Sequence, residues 1–231
     1  MNRKTMNRRK FLRLAGLTLG AGALTCAGLG ALEAHLESQD QPENPQAPFI
    51  FPDISLGEQT MTKKILVAYA SQAGSTGGVA EAIGKTLAEG GALVDVSPVQ
   101  SVSSLDEYSA VVLGSAIHSG KWLPEAVKFL QANQARLRQV PTAFFLVSMM
   151  ATKEDEANRN FVAQFLEAER ALVKPVAEGR FAGALILKKY PFTTAIGLRI
   201  FLAYLKLPGG DYRNWDAIRA WSASTRPLLV Q

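Results

Sequence analysis

The 231-residue chain contains one cysteine and two histidines. The lone cysteine, Cys26, excludes a disulfide within the chain, and no run of His and Cys has the spacing of a metal site. No Ser/His/Asp arrangement or pair of carboxylates points to hydrolysis. The G-x-G-x-x-G fingerprint of dinucleotide binding is missing. Internal repeats and base-stacking motifs are also missing, so nucleic acid is not an expected partner. Acidic residues are absent from residues 1–30, which hold Arg3, Lys4, Arg8, Arg9, Lys10 and Arg13. Without those six, 19 basic residues face 20 acidic ones, so the formal charge of +5 belongs to the leader rather than to a polyanion-binding surface.

What the leader does contain is an address. Asn7-Arg8-Arg9-Lys10-Phe11-Leu12-Arg13 resembles a twin-arginine export motif, and an uncharged stretch from Leu14 to Leu32 follows. An ordinary basic signal or a membrane anchor is the alternative reading of residues 1–32. The stretch is close to the roughly 20 residues that span a bilayer. It ends without a good small-x-small cleavage site. Ala23-Leu24-Thr25 before Cys26 is a poor lipoprotein box. The expectation is passage through the twin-arginine machinery to the periplasm or the outer face of the cytoplasmic membrane. That route exports folded proteins, many with a cofactor already in place.

Residues 33–61 carry Pro42, Pro45, Pro48 and Pro52 among polar residues without a period, the composition of a disordered linker. A single domain is expected over residues 62–231. Within it, apolar runs at Lys64–Ala70, Leu93–Val96, Ala110–Gly114, Thr142–Ser148 and about Phe181–Leu187 read as strands. Helical spacing covers Thr76–Glu89, Pro124–Leu137, Asp155–Leu172 and Trp215–Ala223. Strands alternating with helices imply an α/β fold: a five-stranded parallel sheet covered on both faces.

The first loop, Ser71-Gln72-Ala73-Gly74-Ser75-Thr76, lies between a strand's carboxyl end and a helix's amino end. Unpaired amides and a favourable dipole meet an anion there. Ser71, Ser75 and Thr76 add hydroxyls, Gly74 permits close approach, and no Lys or Arg occurs before Lys85. An ordinary strand-to-helix turn with a hydroxyl cap is the alternative. The loop resembles the phosphate loop of flavodoxins. That resemblance implies noncovalent flavin mononucleotide (FMN), with Ser71, Gln72, Gly74, Ser75 and Thr76 around its phosphate, and the strand order 2-1-3-4-5.

Gly114-Ser115-Ala116-Ile117-His118-Ser119-Gly120-Lys121-Trp122 is similar to the corresponding stretch of the flavodoxin-type family that includes menaquinone-dependent protoporphyrinogen dehydrogenase. The resemblance implies that amides from Ser115 through Ala116, Ile117 and His118 to Gly120 face the flavin ring. It makes His118 a candidate catalytic residue and leaves Trp122 either stacked on the ring or packed beneath the loop. The third loop begins Ser148-Met149-Met150 and has no aromatic before Phe161, so one ring face is covered by Met149 or left open.

Residues 181–231 hold seven basic and two acidic residues. Between about 190 and 208 lies an apolar segment with Tyr190, Phe192, Phe201 and Tyr204, and with Arg199 and Lys206 on one helical stripe. It is too short to span a bilayer and has the pattern of an interfacial helix; a helix packed on its own domain is the alternative. The same family carries an extra segment here, associated with membrane and quinone use, and Gly210-Asp211-Tyr212-Arg213-Asn214-Trp215 resembles the entry to its closing helix. The combined expectation is an FMN-dependent oxidoreductase that passes electrons from an organic substrate to a membrane quinone. The alternatives are an exported flavodoxin-type carrier and a module without cofactor.

Overall fold

The computed structural model describes residues 51–57, 63–153, 155–185, 192–205 and 210–230. The leader, most of the linker, Tyr190 and Lys206 lie outside the described residues. The chain divides into two units: one holds residues 50–183 and 212–231, the other the described residues from 184 to 211.

The larger unit is built on a sheet. Its strands are β1 (Ile54–Leu56), β2 (Lys64–Ala70), β3 (Leu93–Pro98), β4 (Ala110–His118), β5 (Lys121–Trp122), β6 (Thr142–Val147) and β7 (Glu178–Phe181). The lateral order is β1-β3-β2-β4-β6-β7, with β5 paired to β4. Five strands, β3-β2-β4-β6-β7, are mutually parallel, which is the expected 2-1-3-4-5 order. The helices are α1 (Ser75–Glu89), α2 (Pro124–Ala132), α3 (Gln134–Leu137), α4 (Glu156–Ala163), α5 (Glu167–Leu172) and, after the second unit, α7 (Trp215–Leu229).

The parallel strands read as unbroken apolar runs because both faces of the sheet are covered. Along β2, Ile65, Val67 and Tyr69 face one side. They share a buried cluster with Val79, Ile83 and Leu87 of α1 and Ile218 and Leu229 of α7. The alternating residues Leu66 and Ala68 face the other side. They are fully buried, as are Leu113, Phe144 and Leu130.

Four expectations about boundaries are corrected. First, the linker is not featureless to residue 61: Ile54–Leu56 adds an antiparallel edge strand to β3, and Ser55 bonds the carboxylate of Asp95 at 2.6 Å. A Pro-rich composition conceals a three-residue strand whose stability comes from its partner. Second, the fifth parallel strand is Glu178–Phe181, not 181–187. It pairs with β6 in the register Phe144↔Glu178 to Val147↔Phe181, and Gly183 follows as the chain leaves the sheet. Third, 155–172 is two helices separated by a 3-10 turn at Gln164–Leu166, and the helix from Pro124 breaks at Asn133. Fourth, α7 runs through Pro227 to Leu229, beyond the expected Ala223.

In the smaller unit, β8 (Ala184–Leu185) pairs antiparallel with β9 (Gly210–Asp211), and α6 (Phe192–Leu205) lies between them in sequence. Ala195 and Leu202 are buried, whereas Ile196 and Ile200 are 40% and 60% exposed. No described helix is long and apolar enough to cross a membrane.

Candidate functional site

The sheet register sets the ends of four strands level. Ala70 lies beside Ser115, Ser115 beside Leu146, Ala116 beside Val147, and Val147 beside Phe181. The loops after β2, β4, β6 and β7 therefore leave from one edge, the carboxyl edge. The chain winds away in opposite directions on the two sides of the β2–β4 pair, and ligands bind doubly wound sheets at such a switch point.

The first loop is anchored from below. Tyr69 is fully buried, and its hydroxyl donates to the Pro52 carbonyl at 3.0 Å. Burial, with Asp53 and Glu81 nearby, pushes the phenol far above its ordinary range, so it stays neutral. Ser71 to Gly74 then turn into α1. Gly74 occupies the amino-cap position with φ +74°, a left-handed backbone that costs glycine little. It has no side chain to cap the helix, so the opening amides of α1 receive none of the usual hydroxyl caps. Thr76 has no solvent exposure, and neither its hydroxyl nor the buried hydroxyl of Ser71 has a hydrogen-bond partner among the described residues. Native interiors rarely leave such groups unsatisfied. Ser75 is half-buried and Gln72 exposed.

The second loop is a tight hairpin. Ile117 pairs with Trp122 and His118 with Lys121, and the two turn residues both have positive φ, 52° at Ser119 and 76° at Gly120. That is the type I′ geometry favoured by strand twist. Ser115 and Ala116 are still strand, so the exposed offering of this segment reduces to the tip. The Ser115 hydroxyl is engaged within the protein: it accepts from the Leu123 amide at 2.9 Å and donates to the Ala116 carbonyl at 2.8 Å. Of the two roles open to Trp122, the structure selects packing. The indole is 3% exposed and meets Phe144 edge-on at 5.3 Å, so it does not stack on a surface ligand. His118 stands exposed at the end of β4, half-buried Ile117 beside it.

The third loop is internally braced. The Ser148 hydroxyl accepts from the Met150 amide at 3.1 Å, and Asn158 donates to the carbonyls of Met150 and Lys153. Met149 is half-buried, and Phe161 is paired edge-on with Phe165.

Three residues at this edge, Gly183, Tyr212 and Arg213, are not among the site residues expected from the sequence. Gly183 follows β7, and a Cβ there would stand 3.4 Å from the Ser75 hydroxyl and 3.0 Å from Val147. The Tyr212 amide donates to the Gly183 carbonyl at 3.1 Å, so the chain returns where it left. Arg213 follows, and a Cβ on Gly78 of α1 would lie 2.5 Å from its guanidinium. Residues 135 positions apart in the chain meet beside the first loop, and no local pattern announces it.

Two unpartnered buried hydroxyls, an uncapped helix start and level loops suit the phosphate and ring of a mononucleotide. Similarity points the same way. The flavodoxin-domain family model matches residues 66–202. The protoporphyrinogen IX dehydrogenase (quinone) of Leishmania major is 27% identical over 187 residues, covering 74% of this chain and 79% of that protein. Its Escherichia coli counterpart is 23% identical over 168 residues, covering 67% and 90%. A flavodoxin structure from the domain Archaea is 24% identical, covering 59% of this chain and 95% of that one, with a TM-score of 0.38. With more than half its length inside the family model, the chain belongs to the flavodoxin-domain family and is an FMN-binding protein of the oxidoreductase kind.

Proposed function

We propose that this protein is an exported FMN-dependent dehydrogenase that takes two electrons and two protons from an organic substrate and delivers them to a membrane quinone. The flavin, when bound, supplies the two-electron redox chemistry. The protein's part is to hold and orient it. The Ser71, Ser75 and Thr76 hydroxyls and the opening amides of α1 receive the phosphate. The hairpin tip from Ile117 to Gly120 flanks the ring, with His118 placed to donate a proton or hydrogen bond. Met149 at the third loop leaves space for a flat substrate.

The observation that carries the quinone assignment is the exposed apolar stripe of α6. Ile196 and Ile200 are separated by one turn, with exposed Arg199 between them. Such a face gains free energy at a lipid interface in proportion to the area it buries, and a basic residue beside it adds attraction to anionic lipid. The names of the Leishmania and Escherichia coli relatives support quinone as acceptor. Protoporphyrinogen IX is the first substrate to test, for the same reason.

Anaerobic turnover of the full chain with a lipid-embedded quinone and with a water-soluble acceptor decides the matter. Replacing Ile196 and Ile200 with Ser should slow the lipid quinone about tenfold or more while leaving the soluble acceptor unchanged. Equal rates with both acceptors would remove the membrane role. A chain that reduces quinone only when a separate reductase is supplied would instead be an electron carrier, a reading favoured by the absence of a described aromatic lid over the site. Cell fractionation tests the address: Arg8→Lys with Arg9→Lys should hold the precursor in the cytoplasm, and normal export of that variant would overturn the twin-arginine assignment.

A further inference from the structure

We propose that Lys121, at the hairpin tip beside His118, selects the substrate, and that the substrate is a carboxylate-bearing organic anion. The proposal rests on the FMN-dehydrogenase reading and names the class of its electron donor.

Register places the two side chains together. His118 and Lys121 are directly opposed across the β4–β5 ladder, so their side chains leave the same side of the hairpin, with Cβ atoms about 5 Å apart. The type I′ turn between them, with positive φ at Ser119 and Gly120, fixes that spacing. Alternation along β4 sets the direction. Ala110 and Val112 lie in the buried cluster shared with α1 and α7, and His118 is an even number of positions further on. The neighbouring pair, Ile117 and Trp122, faces the opposite way, where Trp122 meets Phe144. His118 and Lys121 thus project on the α1 side of the sheet, the side on which the first loop runs into its helix.

Charge is uneven at this edge. Around the four strand ends, residues 71–74, 117–123, 148–153 and 182–183 include no Asp or Glu and two lysines, Lys121 and Lys153. Asp53, brought to the same edge by β1, accepts from Ser97. His118 and Lys121 are both exposed. Neither has a hydrogen bond or ion pair among the described residues, although Glu125 opens α2 four positions after Lys121. An ammonium without a counter-ion beside a redox site attracts anions and disfavours cations. Of the two partners in the reaction, the lipid quinone is uncharged, so only the donor can use that charge. An ammonium is a point charge rather than a planar fork, which suits the single charge of a carboxylate. A phosphate has the hydroxyls and amides of the first loop instead.

The test uses the FMN-loaded full chain, reduced anaerobically, and follows its reoxidation by stopped-flow absorbance at low ionic strength. The probes are a naphthoquinone and the same ring carrying one sulfonate, so they differ by one negative charge. The readout is the ratio of the two second-order rates, sulfonated over neutral, compared with the parent; a change in flavin potential moves both rates and largely cancels. Lys121→Met should lower the ratio about fivefold and Lys121→Glu about tenfold or more, while Lys121→Arg retains it. Lys174→Met, before β7 at the opposite edge, changes the net charge equally and should leave the ratio unchanged. Benzoate, a carboxylate probe, should slow the sulfonated quinone in the parent and much less in Lys121→Met. Salt at about 0.5 M should bring the parent and Lys121→Met together. An unchanged ratio in Lys121→Met and Lys121→Glu, or an equal fall in Lys174→Met, would overturn the proposal and leave the FMN-dehydrogenase reading standing. A tenfold loss of FMN affinity in Lys121→Met would also overturn it, by assigning the lysine to the cofactor. A parent chain that holds no FMN would overturn both.

Discussion

Two polar clusters sit on the same sheet and are finished in opposite ways. The first surrounds Asp95 of β3. Its carboxylate accepts from Ser55 at 2.6 Å and Tyr108 at 2.7 Å and pairs with Lys64 at 2.7 Å, and Lys64 also reaches Glu107 at 2.9 Å. The second is the loop at Ser71–Thr76, where two buried hydroxyls have no described partner and the helix start has no side-chain cap. The Asp95 cluster fastens β1 and the start of β2 to the sheet, and every oxygen of the carboxylate is used. The loop cluster has donors to spare. Polar groups that the protein satisfies itself hold the fold; the two loop hydroxyls fit a bound phosphate, whereas the equally unpartnered Trp122 indole nitrogen belongs to a packed side chain.

The sharpest way to break this contrast is Asp95→Ala. It leaves the buried Tyr108 hydroxyl without its acceptor and Lys64 with only the exposed Glu107 as partner, with an expected loss of about 2–3 kcal/mol. For a domain of this size the melting temperature should drop by about 5–10 °C, while the folded fraction still binds FMN with parental affinity. Unchanged melting by calorimetry would show that the cluster is ornamental.

Thr76→Val reverses the pattern. Replacing an unpartnered buried hydroxyl by a methyl of similar size removes a desolvation cost, so the flavin-free protein should gain about 1 kcal/mol. FMN affinity should fall about tenfold through the lost phosphate bond. A flavin-free protein destabilised by the change would mean that the hydroxyl already has a partner.

Acid titration gives the smallest expected effect. Burial opposes ionisation of Asp95, yet bonds from Lys64, Ser55 and Tyr108 outweigh it and hold the carboxyl below its ordinary 3.8. Glu178 is held below 4.5, chiefly by its paired bonds from Arg170 and against its burial. A carboxylate depressed in the folded state stabilises above its unfolded pKa, and that contribution is lost as pH falls. Stability should therefore be flat near neutrality and decline below about pH 4.5. Asp95→Ala should flatten the decline, and an identical acid limb in the variant would place the sensitivity elsewhere.

Much of this was legible in the linear chain because it depends on neighbours in sequence. Unbroken apolar runs such as Lys64–Ala70 and Thr142–Val147 identify buried parallel strands, since a strand covered on both faces has no polar alternation. The first loop is equally local: hydroxyls and glycine between a strand and a helix mark a candidate anion site within six residues. Tertiary structure decided the rest. Ile54–Leu56 becomes a strand only because β3 offers an edge, and its Pro-rich surroundings give no sign of it. Ser115, Ser148 and Trp122 look like a ligand-facing set in sequence, but packing commits their side chains to a helix start, a 3-10 turn and the Phe144 ring. Arg213 meets Gly78 only when α7 folds back along α1, because a cation so far along the chain has no spacing that could predict its partner. Local pattern determines which elements form and which loop is a candidate for an anion; the folded chain determines which side chains the protein's own hydrogen bonds engage.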